Sequence, residues 1–272
     1  MPLLPMSPQV FSILSALVAE RAGLQFDVSH GPIFAEKVSG RAVEAGFESL
    51  LDYYYFLRYD GDSGPELDKL VEALVVGETY LFRELPPLQL AVSEVVAPIA
   101  NAGRRPRLWC AASSTGEEPH TVAMLLAARD LLDKVDFVAS DISAAALLRA
   151  RSGRFSRRAV RGDIPDFAAG WVRPDGAGVD LRPGLTEAID WRQVNLVEDA
   201  EVTALGTFDV IFCRNVLIYF SDETVRKVID RLAARLNPGG ALFVGISESL
   251  LRFGTPLRCE ERDGVFLYRP SP

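Results

Sequence analysis

Beyond Asp209, three polar side chains, Arg214, Asn215 and Tyr219, interrupt the apolar segment FDVIFCRNVLIYF that runs from Phe208 to Phe220. A guanidinium, an amide and a phenol in so apolar a setting are poorly explained by solubility and mark a site. A second set is acidic. Small residues Ala112-Ser113-Ser114-Thr115-Gly116 lead into Glu117-Glu118, and Asp141 closes the run FVASD. Small side chains let a backbone approach a ligand closely, and Gly116 permits a tight turn. Two carboxylates at a helix start repel a pyrophosphate but favour a ligand with positive charge or hydroxyls. The alternative is that they only complement the helix dipole. Asp141 stands where a carboxylate accepts hydrogen bonds from ribose hydroxyls, although it could instead cap the next helix. The combination fits a cationic nucleoside, S-adenosylmethionine. A nicotinamide dinucleotide would need the missing G-x-G-x-x-G.

Elements of a particular kind must position these groups. Phe208, Val210, Ile211, Phe212 and Cys213 read as a buried parallel strand whose carboxyl end carries Arg214-Asn215. Further strands are predicted over Arg107–Ala112, Asp136–Ser140, Trp191–Leu196 and Ala241–Ile246. Helices are predicted over Glu117–Leu132, Ala144–Arg151 and Glu223–Leu236, the last stopped by Asn237-Pro238-Gly239-Gly240 and a turn. Leu257–Tyr268 reads as a hairpin about Asp263-Gly264. Such alternation predicts an α/β fold with a mostly parallel sheet and an antiparallel terminal edge. Before it, helical stripes run through Val10, Leu14, Leu17 and Val18, then Phe47, Leu50, Leu51, Tyr54 and Tyr55, then Leu67, Leu70, Val71, Leu74 and Val75. Tyr53-Tyr54-Tyr55 is read as helix packing. The expected organisation is a helical domain over 1–75, a linker and connecting helix over 76–105, and an α/β domain over 106–272. A small β insertion is expected over 155–190.

The 272 residues carry a net charge of −8, which disfavours a nucleic-acid partner. No apolar run approaches a membrane span, and the N-terminal MPLLPMSPQV lacks a signal-peptide pattern. Cys110, Cys213 and Cys259 are expected as reduced, buried thiols, and two histidines without paired Cys/His spacing argue against a metal site.

The segments ETYLFRE, WCAASSTGEEPHTVAM, ASDIS, VNL, FDVIFCRNVLIYF and NPGGALFVGISESL closely resemble, in order, the CheR-type chemotaxis receptor methyltransferases. The resemblance implies a Rossmann-like class I methyltransferase fold behind a small all-α domain, with a β-subdomain insertion. It also implies transfer of a methyl group from S-adenosylmethionine to receptor glutamates, giving glutamyl methyl esters and S-adenosylhomocysteine. Implied cofactor contacts are Gly77, Thr79, Arg83, Glu117, Glu118, Asp141, Asn195, Leu196, Asn215 and Val216. Arg83 and Tyr219 are expected nearest the transferring methyl. The implied partner is the cytoplasmic domain of methyl-accepting chemotaxis receptors, with no nucleic acid, no membrane insertion, a cytoplasmic location and a monomer. Gly77 stands where the family commonly has asparagine, and Ile246 where it often has histidine. Ser29–Glu48 offers only Lys37 and Arg41 where chemotaxis members are arginine-rich. These departures motivate an alternative, a degenerate signalling adaptor.

Overall fold

In the computed structural model, which describes residues 3–176 and 178–271, the chain opens on four helices. These are α1 (Pro8–Ala22), α2 (Gly31–Glu44), α3 (Leu50–Tyr59) and α4 (Gly64–Leu74). Local sequence marks their ends. The Ser7 and Ser49 hydroxyls accept the Val10 and Asp52 N–H groups, and prolines occupy the first turns of α1, α2 and α4. Gly23, in the left-handed region, closes α1 through its N–H on the Ala19 carbonyl. Leu14, Val18, Phe34, Val38, Tyr53 and Leu70 are fully buried. The expected stripe on α3 is out of phase: Leu50, Tyr53 and Leu57 are buried, whereas Leu51 and Tyr55 are exposed and Phe47 precedes the helix. Tyr53 wins the interior because its hydroxyl finds Glu66 at 2.9 Å, so the buried phenol is satisfied.

The chain divides into two compact units. One comprises the residues up to Val76 together with Tyr219–Thr224; the other runs from Gly77 to Ile218 and resumes at Val225. In the larger unit a helical stretch comes first, α5 (Leu85–Ala91) and α6 (Ala97–Asn101) joined by a π-helical turn over Val92–Val96. Then follow β1 (Arg107–Ala111), α7 (Glu117–Ala127), β2 (Asp136–Asp141) and α8 (Ala144–Ser152). The insertion holds β3 (Arg154–Ser156), β4 (Val172–Asp175) and β5 (Gly178–Leu181), and the main fold resumes at β6 (Ile189–Gln193). The remainder is α9 (Asp199–Ala204), β7 (Phe208–Cys213), α10 (Asp222–Ala234), β8 (Leu236–Val244), β9 (Leu257–Arg262) and β10 (Val265–Pro270).

The main sheet has the order β6-β2-β1-β7-β8-β10-β9, and β3-β5-β4 form a separate antiparallel sheet. The first five strands pair in parallel and the last two pair antiparallel at the edge, as the alternation predicts. After β1 the chain builds outward through β2 and β6, then returns to place β7 on the other side of β1. That reversal makes the carboxyl ends of β1 and β7 the ligand crevice of this topology. Asp209 lies within the apolar β7 run yet is fully buried at the opposite end. Arg104, the Arg107 N–H and the Asn237 amide all donate to its carboxylate. Burial opposes its charge, but these donors outweigh burial and hold its pKa below the usual carboxylate value.

Three expected boundaries move. α7 stops at Ala127 because Asp130 turns left-handed and the Leu131 N–H reaches back to the Leu126 carbonyl. The β6 strand ends at Gln193, leaving Asn195 and Leu196 in the loop beyond it. Asn237–Gly240 is not a turn between elements but lies inside β8. There Phe208 pairs with Leu236 and Val210 with Ala241, so the extra residues bulge. The Asp263-Gly264 turn is present, both residues having positive φ. Cys110 and Cys213 are buried free thiols; Cys259 is only half-buried. Among the described residues no helix is long and apolar enough to cross a membrane.

His120 on α7 ties the main fold to its insertion. Its Nδ1 faces the Gly116 carbonyl at 2.7 Å, which assigns the proton there and leaves Nε2 to accept from the Thr186 hydroxyl at 3.0 Å. Phe155 and Trp191 enclose the ring. Burial pushes its pKa down to about 4, against a smaller opposing effect of the Gly116 carbonyl. The unfolded chain therefore takes up a proton near pH 6.5 that the native state refuses until about pH 4. The contribution is complete above pH 6.5 and declines as pH falls to about 4, by about 3 kcal/mol. Urea unfolding of the protein and of His120→Gln across this range isolates that share. Identical pH dependence in the two chains would contradict it.

Candidate functional site

The loop from β1 to α7 alternates its backbone hand. Ala112, Ser114 and Gly116 all have positive φ, at 53°, 49° and 92°. Gly116 is required twice over, because a Cβ there would also lie 2.7 Å from Ala150 Cβ and 3.0 Å from Trp191. Its small size therefore serves packing against α8 as well as the turn expected there. Asp141 anchors the loop: one carboxylate oxygen accepts the Ser114 N–H at 2.7 Å and the other the Ser143 N–H at 2.9 Å. The cap of α8 is Ser143, which accepts the Ala146 N–H, so the capping alternative for Asp141 does not hold. The Val194 N–H binds the Asp141 carbonyl at 3.0 Å, bringing Asn195-Leu196 alongside. Asn195 is buried, with Oδ1 accepting the Val197 N–H and its own N–H on Glu201. Leu196 is buried as well.

The two glutamates of α7 separate in role. Glu117 is buried and accepts the Thr115 hydroxyl at 2.7 Å; burial raises its pKa. Glu118 turns the other way, to Arg214 Nη1 at 2.6 Å. Arg214, at the end of β7, has a side chain only 1% exposed. Its Nη2 donates to Glu84 Oε2 at 2.8 Å and to the carbonyls of Arg83 and Glu84 at 3.1 and 3.3 Å. Burial disfavours the charged form of Glu84, but Arg214 overcomes this and keeps its pKa below the ordinary value.

The linker segment that carries Arg83 is bent on both sides of it. Phe82 and Glu84 both lie in the left-handed region, at φ 67° and 46°, each on the order of 1–3 kcal/mol of strain. The Leu81 N–H on Ala159 and the Phe82 N–H on the Thr121 hydroxyl hold the preceding residues. Arg83 itself is 27% exposed, donates to the Glu78 carbonyl at 3.1 Å and lies over the Tyr80 ring. Its Nε is 3.9 Å from Glu84, so the simple surface pairing between these neighbours is weak. Gly77 is exposed at the start of this segment, where a Cβ would meet only Ser114 Oγ at 3.5 Å, and Thr79 is half-buried.

Asn215 is left-handed at φ 59° and sends its N–H to Glu248 at 2.7 Å. Glu248 also accepts the N–H groups of Gly245 and Ile218, so one buried carboxylate gathers both strand ends. Burial raises its pKa against the lowering effect of those donors. Gly245 must be glycine, since a Cβ would fall 2.6 Å from Asn215 Nδ2. Val216 is half-buried, and Ile246 is 87% exposed with its N–H 3.3 Å from Glu84. Tyr219 belongs to the helical unit, where its carbonyl accepts the Gln25 N–H and Phe220 bridges Leu24.

Gly77, Arg83, Glu118, Asp141, Asn195 and Asn215 are thus linked at one end of the main sheet. The chemistry suits the cofactor expected from sequence. Glu84 and Glu118 share a single buried guanidinium and Asp141 adds a third carboxylate held by backbone N–H groups, an acidic balance that favours a sulfonium and an ammonium over a pyrophosphate. Ser113 Oγ is buried there without a hydrogen-bond partner among the described residues, a polar atom that a hydroxyl-rich ligand can satisfy. Sequence reading gave no role to Glu84, Glu248 or Ser113. For Glu248 a carboxylate three residues past a strand-end glycine was the available signal.

Residues 77–264 match the family described as "CheR methyltransferase, SAM binding domain". Chemotaxis protein methyltransferase 2 of Vibrio cholerae is 35% identical, covering 92% of this chain and 89% of the relative. Chemotaxis protein methyltransferase 1 of Pseudomonas aeruginosa is 30% identical over 88% and 90%. A probable biofilm formation methyltransferase, WspC of Pseudomonas putida, is 32% identical over 85% of this chain and 55% of its own length.

Proposed function

The chain belongs to the CheR methyltransferase family and is an S-adenosylmethionine-dependent methyltransferase; from that premise we propose that it methylates glutamate side chains of chemotaxis receptors, forming γ-glutamyl methyl esters. The observation that carries this reading is similarity to a chemotaxis protein methyltransferase over 92% of the chain. The partner proposed is the cytoplasmic domain of a methyl-accepting receptor, met by a monomeric, cytoplasmic enzyme. The adaptor alternative is not favoured: relatives covering most of the chain are chemotaxis protein methyltransferases, and Gly77 costs a single amide.

When bound, S-adenosylmethionine supplies a methyl group activated by its sulfonium. Asp141 is proposed to hold the ribose, Glu118 the charged amino-acid part. Gly77, Thr79, Asn195-Leu196 and Asn215-Val216 are proposed to line the remainder, and Glu117 to brace the loop beneath it. The acceptor glutamate is already ionised at pH 7, so no general base is required. What remains is orientation, which can supply much of a barrier reduction. Arg83 is proposed to hold one carboxylate oxygen while the other stays exposed to react. Tyr219 is proposed as a second donor on its motif alone.

Incubation with methyl-labelled cofactor and receptor-bearing membranes tests the reaction. Label released as methanol by mild base identifies a carboxyl methyl ester. Base-stable label, or none with any candidate receptor, would refute glutamate methylation.

A further inference from the structure

The side chain of Arg214 is only 1% exposed, its Nε has no acceptor among the described residues, and the sequence gives it no chemistry. Its two terminal nitrogens reach four acceptors: Glu118 at 2.6 Å, Glu84 at 2.8 Å, and the carbonyls of Arg83 and Glu84. With its side chain 1% exposed, those nitrogens face protein acceptors and not solvent. A counter-ion alone would need only the carboxylates. The two carbonyl contacts fall on consecutive residues of a strained turn, Arg83 and Glu84, and the left-handed residues Phe82 and Glu84 bracket Arg83. Left-handed backbone at non-glycine residues persists only where surrounding contacts over-determine it.

We propose that Arg214 is the positioning residue of the site: it clamps the Arg83 and Glu84 carbonyls and so fixes the direction in which Arg83 presents its guanidinium. Glu84 and Glu118 keep the clamp charged and in register. Through them the end of β7, the start of α7 and the linker move as one body. Asn215 Nδ2 and the Ile246 N–H, both toward Glu84, extend the same body to the neighbouring strand. The proposal rests on the methyltransferase reading for the meaning of Arg83, but its structural half does not.

The test uses the full chain carrying Arg214→Lys, Arg214→Met or the pair Arg214→Met/Glu84→Gln. The Leu81 and Phe82 amides, bonded to Ala159 and Thr121, report on the segment by hydrogen exchange. The paired variant removes one of the two stranded carboxylates and leaves only Glu118, whose side chain is 16% exposed, so it is expected to fold and keep β1 and β7 protected. Leu81 and Phe82 should nevertheless exchange about tenfold faster or more, as a locally opened segment does. Lysine, a point charge unable to reach four acceptors at once, should restore protection only partly. Turnover should fall about 100-fold, more than cofactor affinity by calorimetry falls. If Arg214→Met/Glu84→Gln regains native exchange at both amides, Arg214 is merely a counter-ion and the proposal is wrong. If the unaltered chain transfers no methyl group, the methyltransferase reading fails, while exchange still decides the clamp.

Discussion

Arg83→Ala is expected to reduce turnover by about 100- to 1,000-fold while cofactor affinity changes by less than about threefold. The contrast between the two arginines at the site is the reason. Arg214 is fully buried and its terminal nitrogens are spent on protein acceptors. Arg83 keeps a partly exposed guanidinium, and among the described residues its hydrogen bonding consists of one donation to the Glu78 carbonyl. A guanidinium carries five N–H donors, so most of its capacity remains for an incoming carboxylate. The ring of Tyr80, 5.6 Å from its central carbon, limits how far it can swing. On the proposed function such a group contributes to the reacting geometry more than to holding the cofactor. Arg83→Lys preserves the charge but loses the planar fork, and an intermediate loss is expected. Calorimetry with S-adenosylhomocysteine beside steady-state kinetics separates the quantities. Equal losses in affinity and turnover would reassign Arg83 to cofactor binding.

Much of this arrangement was legible before any coordinates. The alternation of strand and helix gives the sheet, and the acidic residues at the ends of β1 and β2 give a crevice suited to a cationic nucleoside. Periodicity and composition carry that information because burial of a parallel strand and polarity at its carboxyl end are local properties. What escaped is nonlocal. The burial of Asp209 depends on Arg104, more than a hundred residues earlier, and no window over FDVIFC contains its partner. The roles of Arg214 and Glu84 are likewise set by each other across 130 residues. The sequence stripe put Tyr54 and Tyr55 on the packed face of α3, and the reach of the Tyr53 hydroxyl to Glu66, which turns Tyr53 inward instead, is set by a residue outside that helix. Gly116 was legible as a glycine that permits a tight turn, but its second reason, the nearness of Ala150, required the packed helix.

Asp141→Ala is expected to weaken S-adenosylmethionine binding by about 10- to 150-fold, corresponding to about 1.5–3 kcal/mol for hydrogen bonds to a charged group. Two losses contribute, and they can be separated. The carboxylate already accepts the Ser114 and Ser143 N–H groups, so its removal also releases the β1–α7 loop. Asparagine is no clean substitute, because its NH2 would face one of those N–H donors. An analogue lacking the ribose hydroxyls resolves the matter in a double cycle. If Asp141 holds those hydroxyls, the analogue should bind the natural chain weakly and lose little more on Asp141→Ala. If Asp141 serves only the loop, both ligands should weaken by the same factor. Gly77→Asn gives the opposite sign at the same crevice. A Cβ at Gly77 meets nothing closer than Ser114 Oγ at 3.5 Å, so the family's amide can be restored without displacing the backbone. Its addition is expected to tighten the cofactor by several-fold, about 1 kcal/mol for one hydrogen bond regained. Should Gly77→Asn leave affinity unchanged, the crevice is already complete without that amide, and Asp141 carries a larger share of the binding than the family pattern implies.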